Sequence, residues 1–139
     1  MKTYTLEKVI GEGIDMTNVF SPKTGGVNTN LLMERINQSI FTILSTFKGT
    51  RFMIPLFGSD LQKLVFEPND FVLVDRVKVE VYDALSLWER RIKITNIVID
   101  NTSDAVPDNT IFIIINYIVN KVNMEGSYVY PFVRDPYPF

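Results

Sequence analysis

Cysteine and histidine are both absent from the 139 residues of this chain, and their absence excludes several classes of catalytic site. Disulfides, thiol nucleophiles, Cys/His zinc sites and histidine general bases each need one of these residues. The chain has no uncharged apolar stretch of 18 residues, and residues 1–8 lack the apolar core of a signal peptide. We therefore expect a soluble cytoplasmic product with no membrane partner.

A strong excess of one charge is also missing. Fourteen Lys/Arg residues stand against 16 Asp/Glu, and no basic run is longer than Arg90-Arg91. Nucleic-acid-binding domains carry a basic patch, so we expect no nucleic-acid partner. The length and the 46% hydrophobic content are those of one globular domain. We predict a single domain over 1–139, with an irregular N-terminal arm at 1–27, a core at 28–132 and a C-terminal tail at 133–139.

The first regular element is indicated by apolar residues that recur every three or four positions. This spacing predicts a helix over 30–47. The apolar segment 51–58 follows, but it contains Pro55 and ends in Gly58. Because proline and glycine interrupt regular structure, we predict a buried, irregular connection there.

Two further helices are predicted from capping signals. Ser59 has capping-box spacing to a glutamine three residues later, which predicts a short helix over 59–66. The range 70–88 fits either a strand or a helix, because its valines alternate and also recur at helical intervals. Its length, and Asn69 or Asp70 as an N-cap, favour a third helix.

After the third helix the apolar period changes to two. Isoleucines alternate over 92–99 and change phase near Asn96, which predicts a strand with a β-bulge. A turn-rich loop at 100–109 precedes an apolar run at 110–122, and together these predict an antiparallel β-hairpin or sheet covered on both faces. Gly126 marks another turn, before an aromatic, proline-rich C-terminal segment. Helices followed by strands indicate an α+β fold.

No cofactor or metal motif is complete. Gly11-Glu12-Gly13 lacks the third glycine of a dinucleotide-binding motif, and the acidic loop at 100–109 lacks the spacing of a calcium loop. We expect no cofactor and no metal. Glu67 and Glu89 could serve a glycosidase without histidine if the fold brought them within about 5–10 Å. Such glutamates are more often caps or ion-pair partners, so catalysis is the less favoured interpretation.

Trp88-Glu89-Arg90-Arg91 lies at the junction of the third helix and the first strand. Trp and Arg are enriched among interface hot spots, and pairing between arginine and carboxylate is directional. Two interpretations stay open. Trp88, Glu89, Arg90 and Arg91 form a partner-binding site, or an internal ion pair between Glu89 and arginine fixes the helix end.

Seven short motifs follow one another between about residues 11 and 132. They include Gly11-Glu12-Gly13, Gly25-Gly26-Val27, Gln38-Ser39-Ile40, Gly49-Thr50-Arg51, Ile54-Pro55-Leu56-Phe57-Gly58, Phe66-Glu67-Pro68 and Trp88-Glu89-Arg90-Arg91-Ile92. In this order and spacing the motifs resemble the wedge protein of contractile phage baseplates, the family of tail-sheath initiators. The family includes the counterpart in type VI secretion baseplates and in related injection particles.

The resemblance implies a structural protein, not an enzyme, located in the virion tail baseplate after assembly in the host cytoplasm. The implied partners are the larger wedge proteins, the sheath subunit, which adds extended strands to the family's sheet, and tail-tube proteins. In the family, a Glu-Pro-Arg motif binds the helical core bundle of the larger wedge proteins. Glu89 and Arg91 occupy its Glu and Arg, while Arg90 replaces its Pro and Thr50 replaces a usual Glu. Some family members have been described as lysozymes, so a glycoside hydrolase of the baseplate is the alternative.

Overall fold

The computed structural model of the chain describes residues 13–14, 22, 25–26, 29–30, 33–68, 70–100 and 110–133. The chain divides into two compact units, residues 1–40 and 41–139. Most of the predicted irregular arm, and all but the first residue of the predicted tail at 133–139, lie outside the described residues.

In the first unit, two short strands pair with each other. β1 (Gly13–Ile14) runs antiparallel to β2 (Thr29–Asn30), so part of the predicted irregular arm is a strand. The first helix, α1 (Met33–Ser45), begins in this unit and ends in the second. Ile36 and Ile40 lie four residues apart on one stripe of α1, and both are fully buried.

α1 confirms the first predicted helix but is shorter than the predicted range 30–47. At its C-terminal end, Ser45 Oγ donates to the Phe41 carbonyl (2.7 Å) and Thr46 Oγ1 donates to the Thr42 carbonyl (2.6 Å). Hydroxyl groups that bond to carbonyls four residues back compete with the backbone for the helical pattern. The backbone bond from Thr46 N to the Thr42 carbonyl (3.2 Å) nevertheless remains, and the helical pattern stops soon after it, because Lys48 N donates to the Ser59 carbonyl (3.3 Å).

The second predicted helix is present as a 3₁₀ helix (Leu61–Phe66), two residues later than predicted. Ser59 does not cap it. The Ser59 hydroxyl is buried and donates to the Leu44 carbonyl (2.8 Å), while its backbone N–H donates to the Thr46 carbonyl (2.9 Å). Ser59 thus fastens the chain to the end of α1, a contact that capping-box spacing cannot indicate.

The connecting segment (residues 48–58) lies between α1 and the 3₁₀ helix. The prediction that residues 51–58 form a buried connection is wrong. Phe52, Met53 and Leu56 are 92%, 87% and 71% exposed. The buried part is Gly58, where φ is +110° and an added Cβ would lie 2.2 Å from the Thr46 carbonyl oxygen. Only glycine fits there, so the segment closes against α1 at Gly58 and projects its apolar side chains outward.

α2 (Phe71–Trp88) confirms the third predicted helix. The Asp70 carboxylate caps it by accepting a hydrogen bond from Leu73 N (2.9 Å). Val79 is 60% exposed, so the alternating valines do not form the face of a strand. The residues of α2 that are buried recur at helical spacing: Leu73, Val77, Val81, Ala84 and Leu85.

A three-stranded antiparallel sheet follows α2. Its strands are β3 (Ile92–Asp100), β4 (Thr110–Val119) and β5 (Met124–Val133), in the order β3-β4-β5. The predicted bulge is confirmed, because the register between β3 and β4 shifts between Ile94 and Asn96. With α1 and α2 ahead of this sheet, the α+β class is also confirmed.

Only one face of the sheet is fully buried. Alternate residues of β4, from Ile111 to Val119, are buried on that face, and α2 lies against β3. Phe112, Ile114 and Ile118 on the opposite face are only partly buried. The predicted cover on both faces is therefore not provided by the described residues.

β5 is a strand that the sequence pattern does not predict. Gly126, predicted to form a turn, pairs with Tyr117 within the ladder. The chain reverses at residues 120–123, where Asn123 has φ of 51° and its N–H donates to the Val119 carbonyl (2.8 Å). Asparagine tolerates this left-handed conformation, so the turn forms at Asn123 and not at Gly126, where it was predicted.

Candidate functional site

The junction between α2 and β3 is built around a two-point ion pair. Arg91 Nε donates to Glu89 Oε1 (2.7 Å), and Arg91 Nη2 donates to Glu89 Oε2 (2.6 Å). The backbone N–H of Arg91 donates to the same carboxylate (3.3 Å). The Glu89 side chain is 4% exposed and that of Arg91 is 34% exposed. The internal ion pair is therefore present, and the Glu89 carboxylate faces Arg91 and not solvent.

The electrostatics of the junction favour the charged form of Arg91. The hydrogen bonds that Arg91 donates to the Glu89 carboxylate raise the pKa of the Arg91 guanidinium, although partial burial opposes this shift. Burial, assisted by the nearby Glu89 charge, raises the pKa of Tyr117 to about 12. Tyr117 is a core residue of β4 that is 1% exposed, so the ion pair lies at the border of the core.

The backbone of the junction is fixed on both sides. Glu89 N donates to the Leu85 carbonyl (2.9 Å) and closes α2. Asn120, at the start of the turn between β4 and β5, donates through its backbone N–H to the Arg91 carbonyl (2.9 Å) and through Nδ2 to the Arg90 carbonyl (3.0 Å). The Arg90 side chain is exposed on this fixed backbone.

Trp88 connects the junction to the connecting segment. Its ring meets the Phe57 ring edge-on, with centroids 5.1 Å apart and an interplanar angle of 63°. The guanidinium carbon of Arg51 lies 4.5 Å from the centroid of the same Phe57 ring. We call Arg51, Phe57 and Trp88 the aromatic stack. Edge-on aromatic pairs and cation–π contacts both favour this geometry, so the segment is held against the end of α2.

A cluster of ion pairs holds the base of the connecting segment on α2. Lys48 Nζ lies 2.7 Å from Glu80 Oε1 and 3.4 Å from Asp60 Oδ2, and Lys63 Nζ lies 2.9 Å from Asp60 Oδ1. Burial opposes the charge of Lys48, but the two carboxylates together raise the pKa of its ammonium group. The hydrogen bond from Lys63, followed by the charge of Lys48, lowers the pKa of Asp60. Both shifts favour the charged forms of Lys48 and Asp60.

The four predicted site residues lie together, but they are not equally available to a partner. Glu89 is buried, Trp88 and Arg91 are partly buried, and Arg90 is exposed. Phe57 was not predicted as a site residue, because its segment was expected to be buried as a whole. Asn120 was not predicted either, since an asparagine after an apolar run indicates a turn but not the strand end to which it bonds.

Glu67 and Glu89 do not form a glycosidase pair. Glu67 pairs with Arg76, and Glu89 pairs with Arg91. The two glutamates flank α2, whose 18 residues span about 27 Å. This separation is far beyond the roughly 5–10 Å that a pair of catalytic carboxylates requires.

Neither a membrane-spanning helix nor a metal cluster occurs among the described residues. No helix in these ranges is both long and apolar enough to cross a bilayer. No group of three or more acidic side chains in the same ranges is arranged to hold a metal ion.

Comparison with known sequences connects the chain to baseplates. A family model described as baseplate wedge protein gp25 matches residues 31–124. The chain is 33% identical over 73 residues to baseplate protein W of Escherichia phage P2. That match covers 52% of this chain and 64% of the relative, so the chain matches less than two thirds of the relative's length.

Three solved structures share the fold. A protein of Geobacter sulfurreducens, described provisionally as a tail lysozyme, is 34% identical with a TM-score of 0.66, and the match covers 72% of this chain and 88% of that one. A chain of the postcontracted pyocin R2 baseplate is 24% identical with a TM-score of 0.58, covering 78% and 98% respectively. A chain of the anti-feeding prophage baseplate is 16% identical with a TM-score of 0.66, covering 96% and 93%. At these lower identities the last two comparisons establish the fold alone.

Proposed function

Because this chain belongs to the baseplate wedge protein gp25 family, we propose that it binds the helical core bundle of the larger wedge proteins and initiates sheath assembly by strand addition. The protein acts by being held in place and does not transform a substrate. The observation that carries this proposal is the Glu89–Arg91 pair, which occupies the Glu and Arg of the family's partner-binding motif and is fixed on a rigid backbone.

In this proposal Glu89 positions Arg91 and does not touch the partner. The Glu89 side chain is 4% exposed, whereas a third of the Arg91 side chain is accessible. Arg90, exposed on the adjacent position, adds a second guanidinium where the family has proline. Two arginines on a fixed backbone suit carboxylates on a helical partner, because arginine pairs with carboxylates at two points.

The sheet provides edges to which sheath strands can add. β3 and β5 are the outer strands. The hydrogen bond from Asn120 N to the Arg91 carbonyl shows that even-numbered residues of β4 direct their backbone groups toward β3. Odd-numbered residues of β4 therefore direct their backbone groups toward β5, where they pair with even-numbered residues. The odd-numbered residues of β5 consequently direct their backbone groups outward, away from β4. Pro131 is one of these, which agrees with its lack of an N–H.

β5 is the better edge for an added strand. It pairs with β4 over ten residues without a break, whereas β3 is bulged between Ile94 and Asn96. Bulges bend an edge and discourage further pairing. We therefore assign strand addition to β5, where the outward N–H groups of Ser127 and Val129 act as donors.

A glycoside hydrolase is the second candidate, and the description of the Geobacter relative is the observation that favours it. The positions of Glu67 and Glu89 at opposite ends of α2 argue against catalysis by this pair. A structural role accounts for both glutamates as ion-pair partners of arginines.

Reconstitution of the wedge tests the proposal. Arg91→Ala should abolish assembly of this protein with the purified larger wedge proteins. Arg91→Lys should also impair assembly, because it keeps the charge but loses the two-point geometry. Arg76→Ala is the matched control, since it breaks an arginine–glutamate pair at the other end of α2 and should assemble normally. Normal assembly of both Arg91 variants would overturn the proposal.

A further inference from the structure

We propose that the apolar tip of the connecting segment, formed by Phe52, Met53 and Leu56, belongs to the same partner surface as Trp88–Arg91. The tip inserts into an apolar cleft between helices of the larger wedge proteins, and this cleft has carboxylates at its rim. This inference rests on the proposed function and adds a second, apolar contact to the charged one.

The exposure of the tip is the first observation. Three large apolar side chains within five residues are 92%, 87% and 71% exposed. Single exposed apolar residues are ordinary on a protein surface, but a cluster of them marks an interaction site.

The second observation is that hydrogen bonds hold the tip in one conformation. Gly49 N donates to the Pro55 carbonyl (2.7 Å), and Phe57 N donates to the Ile54 carbonyl (3.1 Å). Met53 is held at φ of 70°, a left-handed conformation that is uncommon for this residue. A segment that is already ordered loses little conformational entropy when it binds.

The tip also adjoins the junction. Phe57 follows Leu56 directly and packs on Trp88, with ring centroids 5.1 Å apart. Arg51 precedes Phe52 and lies over the same Phe57 ring. The aromatic stack thus joins the apolar tip to Trp88, which leads directly into Glu89.

The positive charges of Arg51 and Arg90 indicate that the partner is acidic around its apolar cleft. Neither Arg51 nor Arg90 forms an ion pair with the described residues, whereas Arg91 is paired with Glu89. Unpaired guanidiniums therefore lie beside the tip and at the junction. A partner with carboxylates around an apolar cleft complements this surface, and grooves between packed helices provide such clefts.

The experiment measures the affinity of the full chain for the purified larger wedge proteins. Phe52→Ser and Leu56→Ser should each weaken binding at least tenfold without lowering the thermal midpoint, because these side chains contact solvent in the free protein. Phe71→Ser is the matched control. Phe71 is 91% exposed, but it lies at the start of α2, about 25 Å along the helix from Trp88, so its substitution should leave affinity unchanged.

The role of charge is measured separately. Arg51→Glu should weaken binding strongly at 50 mM salt and much less at 500 mM, because salt screens the interaction with the carboxylates at the rim. A salt-independent effect of Arg51→Glu would overturn the assignment of an acidic rim.

The outcomes separate this inference from the proposed function. If the wild-type chain does not bind the larger wedge proteins, both fail. If Arg91→Ala abolishes binding while Phe52→Ser and Leu56→Ser bind like the wild type, the proposed function stands and the apolar tip is not part of the surface. If Phe71→Ser lowered the affinity as much as Phe52→Ser and Leu56→Ser, the inference would also be overturned, because the loss of any exposed apolar side chain would then weaken binding equally.

Discussion

Arg91 holds the carboxylate of Glu89 at two points inside the junction between α2 and β3. The pair has two consequences, because it fixes the end of the helix and, in the proposed function, presents Arg91 to a partner. A substitution at Glu89 should therefore affect folding stability as well as assembly.

Glu89→Ala should lower the free energy of unfolding by about 2–3 kcal/mol, because it leaves the partly buried Arg91 guanidinium without its partner. Glu67→Ala should cost less than about 1 kcal/mol, since its partner Arg76 is 57% exposed and solvent screens that pair. Urea unfolding of the two variants measures both values. Equal losses would show that the buried pair has no special role in stability.

Alkaline pH should destabilise the protein through Tyr117. Burial raises its pKa to about 12 in the folded chain, while the unfolded chain keeps the ordinary value near 10. Between these values the unfolded state has lost the proton that the folded state still binds, so stability falls as pH rises. We expect a loss of roughly 2 kcal/mol between pH 10 and pH 12.

The control for this pH dependence is Tyr117→Phe, followed by urea unfolding across the same pH range. This variant should show a clearly shallower decline. Some decline should remain, because burial also raises the pKa of Tyr128 and Tyr130. An unchanged slope in Tyr117→Phe would contradict the assignment.

Gly58→Ala should destabilise the chain more than Gly49→Ala. Both glycines have positive φ, at 110° and 91°, so alanine strains the backbone at either position by about 1 kcal/mol. Only at Gly58 would the new Cβ meet the Thr46 carbonyl oxygen, whereas nothing lies within 4 Å at Gly49. We expect a total loss of about 3 kcal/mol or more at Gly58, measured by urea unfolding. Similar losses at both positions would mean that α1 moves to accommodate the added atom.

The sequence was sufficient to predict the elements whose apolar period is long and regular. α2 and the bulge in β3 are examples, because buried residues at helical spacing and a phase change in alternation are local signals. β5 was missed because Gly126 and Pro131 are turn residues in most contexts. Whether a glycine pairs or turns depends on the strand opposite it, and here Tyr117 of β4 provides the pairing.

The site was predictable in its members but not in its arrangement. The composition of Trp88-Glu89-Arg90-Arg91 indicated either a partner surface or an ion pair, and only the structure shows that Glu89 is the buried member. The exposure of Phe52 could not be predicted, because apolar composition normally indicates burial. Phe52 is exposed because the connecting segment closes at Gly58, and this closure depends on contact with Thr46, the residue that follows α1.

Val129→Pro should block strand addition without disrupting the sheet. The N–H of Val129 is directed outward from β5, and Pro131 already occupies another outward-facing position of the same strand. A proline at position 129 therefore removes a donor from the free edge only. Tyr130→Pro would remove a donor from the ladder with β4 and should unfold the sheet. We expect Val129→Pro to keep the far-UV spectrum and to bind the larger wedge proteins like the wild type.

The measurement is sheath polymerisation on reconstituted wedges, followed by electron microscopy. Wedges that contain Val129→Pro should fail to initiate sheath, while wedges with Ile97→Pro, which alters the outer edge of β3, should initiate normally. The reverse result would move strand addition to β3, since each proline removes an outward donor from one edge alone. Normal sheath in both variants would show that neither edge receives a strand through these donors, because the loss of a main-chain hydrogen bond at the centre of an added strand should weaken its pairing.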